Sequence, residues 1–90
     1  MADIRIDQKV VWDAVPGAVQ YRVVAKAGTT VIFSREQTEI EVLASAFLAA
    51  QPHGTYTVLV AATDGAGYGV DAFIVVNYVA LPAPSGLAVV

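Results

Sequence analysis

Apolar and polar residues alternate with a period of two along most of the chain, and this pattern constrains the fold more than any other feature. The clearest case is residues 38–42, where Thr38, Ile40 and Val42 alternate with Glu39 and Glu41. Gly, Pro and Asp interrupt the alternation at the spacing of roughly 8–12 residues that is typical of all-β folds. We therefore predict an all-β chain of about seven strands that form a β-sandwich.

One segment departs from the alternation. Residues 44–50 read Ala-Ser-Ala-Phe-Leu-Ala-Ala, a run in which good helix formers predominate. Pro52 and Gly54 follow shortly afterwards and favour a chain break. We predict a short helix or crossover that places Phe47 or Leu48 in the core.

The alternation also predicts which side chains face inward. Within each strand the large apolar residues share one parity, and residues of one parity line one face. The predicted core residues are Trp12, Tyr21, Val23, Ile40, Tyr56, Val58 and Val60.

Composition limits the ways in which so short a chain can be stabilised. Ninety residues are enough for one domain, but no cysteine is present to form a disulfide, and His53 is the single histidine, which disfavours structural zinc. Hydrophobic residues make up 57% and charged residues 14%, against about 25% in typical domains. This balance favours a chain that hides apolar surface in a homo-oligomer or larger assembly. The alternative is a compact monomer with many exposed Ala and Val residues.

Charge and hydropathy disfavour two classes of partner. The net charge is −3, and the five basic residues are scattered along the chain, so nucleic acid and anionic membrane surfaces are not expected partners. No apolar run approaches the roughly 18 residues that a membrane-spanning helix needs. Residues 1–7 alternate in charge and do not resemble a signal peptide.

The sequence contains no convincing catalytic group. His53 lies between Pro52 and Gly54, which favours a solvated turn. Glu39 and Glu41 are explained by the outer face of a strand, although paired carboxylates can perform acid–base chemistry. We therefore predict no catalytic residues and no enzyme activity.

A glycine-rich turn was the remaining candidate for a ligand site. Asp64 and Asp71 flank residues 65–69, but the spacing of a calcium loop is missing. The same segment lacks the lysine and the helix start of a phosphate-binding loop. We predict a turn between strands, with no metal and no cofactor.

Several segments together carry a resemblance to a known family. Residues 10–18 read Val-Val-Trp-Asp-Ala-Val-Pro-Gly-Ala, the Tyr-x-Val pair of Tyr21 and Val23 follows, and residues 52–56 read Pro-His-Gly-Thr-Tyr. In this order and spacing they resemble a fibronectin type III domain over nearly the whole chain. The resemblance implies a single immunoglobulin-like antiparallel β-sandwich, with Trp12 buried and Tyr56 forming a tyrosine corner.

The resemblance fails at the two ends of the chain. The first strand of such a domain, called strand A, opens with Pro and a Leu-x-Val pattern, and residues 2–8 lack this pattern. Residues 81–90 read Leu-Pro-Ala-Pro-Ser-Gly-Leu-Ala-Val-Val and carry that pattern instead. We therefore predict a sandwich over residues 1–80 and a C-terminal extension over residues 81–90 that resembles strand A.

Three hypotheses cover this extension. It can add as a strand to a neighbouring subunit, lie along the outside of its own sheet or of a partner, or be the unstructured remnant of a tandem array. Filling its own missing strand position is disfavoured, because residues 81–86 span at most about 20 Å.

The sheet expected to contain Val24 and Leu59 also lacks the polar outer face of a solvated sheet. Ordinary β-propensity is one explanation, and a protein interface is the one we favour. The predicted interface residues are Val24, Leu59, Ile74, Val76, Leu81, Leu87 and Val89.

Two functions fit these expectations. The first is a structural subunit of a multimeric assembly, such as a bacteriophage capsid decoration or tail protein located in the virion, where domains resembling fibronectin type III are common. The second is a spacer or accessory module excised from a secreted or cell-surface multidomain protein. In both cases the partner is another protein.

Overall fold

The structure, a computed structural model, describes residues 2–90. The chain is mostly β, as the alternation predicts. Its strands and single short helix are β1 (Ala2–Ile4), β2 (Lys9–Val11), β3 (Gln20–Ala27), β4 (Thr30–Gln37), β5 (Glu41–Leu43), α1 (Ala44–Leu48), β6 (Gly54–Thr63) and β7 (Ala72–Tyr78).

The larger sheet has the order β1-β7-β6-β3-β4. The pairs β3–β4, β3–β6 and β6–β7 are antiparallel, whereas β1 runs parallel to β7 and pairs Ala2 with Val76 and Ile4 with Tyr78. The prediction of a wholly antiparallel arrangement is therefore wrong at this edge. Burial of Ile4, which is 4% exposed, holds the N-terminal segment against the core.

The smaller sheet consists of β2 and β5, which pair antiparallel with Val10 opposite Val42. Within residues 2–90, β5 is the only strand that pairs with β2, so the other edge of β2 carries no strand. Two further backbone hydrogen bonds extend the pair, from Trp12 N to Ile40 O at 3.1 Å and from Ala44 N to Gln8 O at 2.9 Å.

The expected strand over residues 38–42 is shorter than its alternation suggests, and the assignment of Ile40 to the core is wrong. Strand β5 begins only at Glu41, and Ile40 is 41% exposed. The cause is the buried side chain of Gln37, whose Nε2 donates to the carbonyls of Glu39 at 3.0 Å and Glu41 at 2.6 Å. These bonds hold the intervening backbone in a bend, where period-two alternation no longer sets the inward face.

One buried cluster receives side chains from both sheets and from α1. Helix α1 has no side-chain hydrogen bond at its N-cap and buries both Phe47 and Leu48, where one of the two was expected. Its five residues are thus stabilised by packing and not by capping. Of the other predicted core residues, Tyr21, Val23, Tyr56 and Val58 are buried, and Trp12 and Val60 are half-buried against the cluster.

Candidate functional site

Two strand edges without partners border the same cleft. Strand β7 pairs with β1 only from Val76 onward, so residues 72–75 have no partner on that side within the described chain. The open edge of β2 lies across from them. The cleft between these edges has a volume of about 180 Å³ and is lined by apolar residues only, among them Val10, Trp12, Val60, Ala72, Phe73 and Ile74.

The cleft continues in both directions. Trp12, Val60 and Ala72 also line an adjoining cleft of about 310 Å³, while Val10 and Ile74 also line one of about 260 Å³. Because neighbouring sections share these side chains, the three form one depression that follows β2 and β7. We call it the β2–β7 groove.

The groove exposes more apolar surface than an isolated strand edge requires. Phe73 is 70% exposed, Val11 63%, Val70 96% and Ile74 40%. The central section contains no charged side chain, whereas Asp13 borders one adjoining section and Asp3 and Lys9 border the other. Edge strands of soluble proteins are normally protected by charges, prolines or bulges, so an apolar edge of this kind marks a place where another chain can pair.

Trp12 supplies a further sign that the groove is incomplete. Its indole Nε1 is buried and has no hydrogen-bond partner within residues 2–90. Leaving such a donor unsatisfied costs about 1–3 kcal/mol. The ring itself is fixed by an edge-on contact with Tyr21, with centroids 5.7 Å apart.

The structure does not place all the predicted interface residues on one surface. Val24 and Leu59 are paired neighbours on the outer face of the larger sheet, and both are half-buried. Val76 is buried at 2% exposure, so its assignment to this outer face is wrong. Ile74 is also misassigned, because it lies opposite Val58 on the inner face and borders the groove.

The register of β7 explains this correction. Val76 lies opposite Tyr56 and Ile74 opposite Val58, and directly paired residues project to the same side of a sheet. The outward residue beside Leu59 is therefore Phe73. Both parities of β7 are apolar, so its sequence contained no signal that could decide between them.

The outer face is also less apolar than expected, because charged side chains border it. Arg22 lies 3.6 Å from a carboxylate oxygen of Asp71, and its guanidinium sits over the Tyr68 ring at 4.3 Å. Desolvation, and then the Glu36 carboxylate, raise the pKa of Tyr68, so its hydroxyl is even less able to release a proton at neutral pH. The β2–β7 groove is thus the stronger candidate surface.

The C-terminal extension stands away from the two sheets. Every residue from 80 to 90 is exposed, including Leu81 at 53%, Leu87 at 92% and Val89 at 102%. The longest dimension of the molecule is accordingly 61 Å, against 27 and 21 Å in the other directions. The hypothesis that this segment lies along its own sheet disagrees with this placement.

Three of the residues considered for catalysis or ligand binding make contacts with neighbouring residues of the fold. The exposed His53 ring contacts the Tyr78 ring edge-on at 4.8 Å, and Glu41 forms an ion pair with Lys9 at 3.1 Å. The Ala66 N–H donates to the Asp64 carboxylate at 2.8 Å, and backbone hydrogen bonds from Ala66 and Gly67 lower the pKa of Asp64. Asp64 thus stabilises its own turn.

Neither a candidate metal cluster nor a membrane-spanning helix is found within residues 2–90. No cluster of three or more His, Cys, Asp or Glu side chains has an arrangement suited to a metal ion. None of the helical structure in this part of the chain has the length and hydropathy to cross a lipid bilayer.

Comparison with known proteins found no matching protein-family model, no matching curated protein and no matching solved structure. The function is therefore inferred from the geometry of the chain itself.

Proposed function

We propose that this chain is a non-catalytic structural module that self-associates as a subunit of a multimeric assembly. The observation that carries the proposal is the β2–β7 groove, where two unpaired strand edges meet an exposed apolar surface around Ile74. Covering such a surface with another protein removes apolar area from water and satisfies the edge backbone groups.

We further propose that the fold is a fibronectin type III-like sandwich. Support comes from the one buried cluster that the two sheets share, and from the hydroxyl of Tyr56, which donates to the carbonyl of Pro52 at 2.5 Å. This bond has the character of a tyrosine corner, in which a Tyr hydroxyl bonds to the backbone a few residues upstream. The parallel pairing of β1 is a local variation at the edge of the larger sheet.

The setting we propose is a virion, as a capsid decoration or tail protein. The low charge content of 14% and the lack of cysteine favour a subunit that is buried among copies or other structural proteins. The alternative is a spacer in a secreted or cell-surface multidomain protein. The exposed extension with Pro82 and Pro84 favours that alternative, because proline-rich segments serve as semi-rigid linkers.

Light scattering coupled to size-exclusion chromatography, over a range of protein concentrations, tests self-association. We expect the wild-type mass to exceed the 9.4 kDa of one chain and to rise with concentration. Ile74→Glu places a charge in the groove, because Ile74 lies on the inner face of β7 and is 40% exposed, and it should return the mass to that of a monomer. Val31→Glu is the matched control, since Val31 is also exposed (53%) but lies on β4. A wild-type chain that stays monomeric at millimolar concentration would contradict the proposal.

A further inference from the structure

We propose that residues 87–90 of one copy add as a strand to the open edge of β2 in a second copy, with Leu87 and Val89 seated in the β2–β7 groove. The inference rests on the proposed self-association and names both halves of the contact. The donor is the C-terminal segment and the acceptor is the groove.

The acceptor offers backbone groups as well as apolar surface. Trp12 N and Gln8 O both bond toward β5. In a strand, the N–H and C=O groups of one residue point to one edge, and those of the next residue point to the other edge. Since Gln8 and Trp12 bond toward β5, the backbone groups of Lys9 and Val11 point to the open edge. An incoming strand therefore meets a short row of unpaired donors and acceptors.

The donor has the matching properties. Residues 87–90 carry no charged side chain and no proline, so each can take part in a β-ladder, unlike Pro82 and Pro84. No backbone hydrogen bond within the described chain occupies this segment. In an extended strand Leu87 and Val89 share one face, which leaves Ala88 on the other.

The groove has the size and chemistry that these side chains need. A cavity of about 150 Å³ holds a benzene-sized apolar group. The central section, of about 180 Å³, and the two adjoining sections, of about 310 and 260 Å³, thus have room for a leucine and a valine. Residues two apart in a strand are separated by roughly 6.6 Å, so both side chains can enter one continuous depression.

The geometry points to a second copy and not to the same chain. The extension begins where β7 ends, and there Val79 N donates to Ile4 O at 3.0 Å, close to the turn of residues 5–8 that starts β2. Antiparallel pairing, the more stable kind, requires the donor to enter from the Trp12 end of β2. Residues 80–90 are all exposed and the molecule extends to 61 Å, so residues 87–90 stand away from the groove of their own chain.

This contact joins different surfaces of the two copies. Each copy that donates its C-terminal segment still has an empty groove. The partner's segment fills it in a reciprocal dimer, and a third copy fills it in a ring or an open filament. The sign of either mode is a mass above 9.4 kDa that requires both the groove and residues 87–90.

Complementation between two full-length variants tests the pairing. Leu87→Glu damages the donor and leaves the groove intact, while Ile74→Glu damages the groove and leaves the donor intact. Each variant alone should be a monomer, with association weakened at least about tenfold because burying an unpaired carboxylate is costly. Mixed in equal amounts, they should form a 1:1 dimer and nothing larger.

A parity control separates strand addition from a general effect of charge. Ala88→Glu puts the same charge one position later, on the face that points away from the groove, and should assemble as the wild type does.

The single tryptophan, Trp12, lines the groove and reports docking by its fluorescence. Its emission should shift to shorter wavelength when the two variants are mixed. Circular dichroism shows that each variant is folded, and Ala72→Glu, at an exposed inner-face position of the groove, replaces Ile74→Glu if that chain is not.

The outcomes distinguish this inference from the proposed function. If Leu87→Glu assembles as the wild type does while Ile74→Glu is monomeric, the groove is an interface with another donor, and the inference is overturned while self-association stands. If both variants are monomeric but fail to combine, the donor and the groove are not complementary, and the inference is again overturned. A monomeric wild-type chain overturns both.

Discussion

Replacing Leu48 by alanine tests whether α1 closes the core. Leu48 is the last residue of the helix, is fully buried (0% exposed), and belongs to the cluster that receives side chains from both sheets. The helix has no capping bond at its N-terminus. Its position therefore depends on Leu48 and the neighbouring Phe47, and truncation of Leu48 leaves a cavity that surrounding residues fill only in part.

The size of the effect follows from this burial. Truncating a fully buried leucine costs about 2–5 kcal/mol, and we expect about 3 kcal/mol here. A chain of 90 residues has a total stability of roughly 5–13 kcal/mol, so the change removes a large share. Since 1 kcal/mol shifts Tm by about 4–8 °C in a domain of this size, Tm should fall by about 12–24 °C.

The assay is urea unfolding followed by Trp12 fluorescence, supported by thermal unfolding at one fixed protein concentration, because self-association raises the apparent Tm. Leu43→Ala is the matched control. It makes the same substitution five positions earlier, at a side chain that is 51% exposed, and should change stability by about 0.5 kcal/mol or less. Equal effects of the two substitutions would refute the role of α1 in closing the core.

Three smaller perturbations test individual polar contacts. Tyr56→Phe removes the hydrogen bond to Pro52 and should cost about 1–2 kcal/mol in urea unfolding, more than Tyr78→Phe at a half-buried ring elsewhere. Gln37→Leu removes two donated hydrogen bonds from a buried amide and should cost about 2 kcal/mol by the same measurement. Asp64→Asn should lower Tm at pH 7, because the folded-state pKa of Asp64 is depressed below the usual value of 3.8 and its charged form stabilises the fold above that pH. The difference in Tm from the wild type should shrink as the pH falls below 3.8. A difference in Tm that does not depend on pH would contradict this prediction.

The sequence was most informative where one face of a strand is polar. In β3 the inward residues Tyr21 and Val23 alternate with the polar residues Gln20 and Arg22, and the structure buries the first pair. Residues 38–42 have a cleaner alternation and were nevertheless misinterpreted. There the side chain of Gln37 bonds to the backbone and bends it, a contact that periodicity cannot reveal.

The groove could not be predicted, because it depends on pairings that are distant in sequence. Whether Phe73 or Ile74 faces outward is decided by the register with β6, and both residues are apolar. That β2 has an open edge depends on β1 joining β7 and not β2. One signal was available, since Val10 and Val11 are adjacent apolar residues in a short strand, which indicates that both faces of β2 have apolar surroundings.

The smaller sheet is the part of the fold that depends most on its surroundings. Two strands of three residues are marginal by themselves, and this pair is held mainly by Val10 and Val42 packing on the core. A third strand on β2 would satisfy the backbone of Val11 and cover Ile74 at the same time. Under the proposed pairing, the exposed apolar groove and the exposed apolar segment of residues 87–90 have a common physical explanation, because residues 87–90 of one copy supply a third strand to β2 of another.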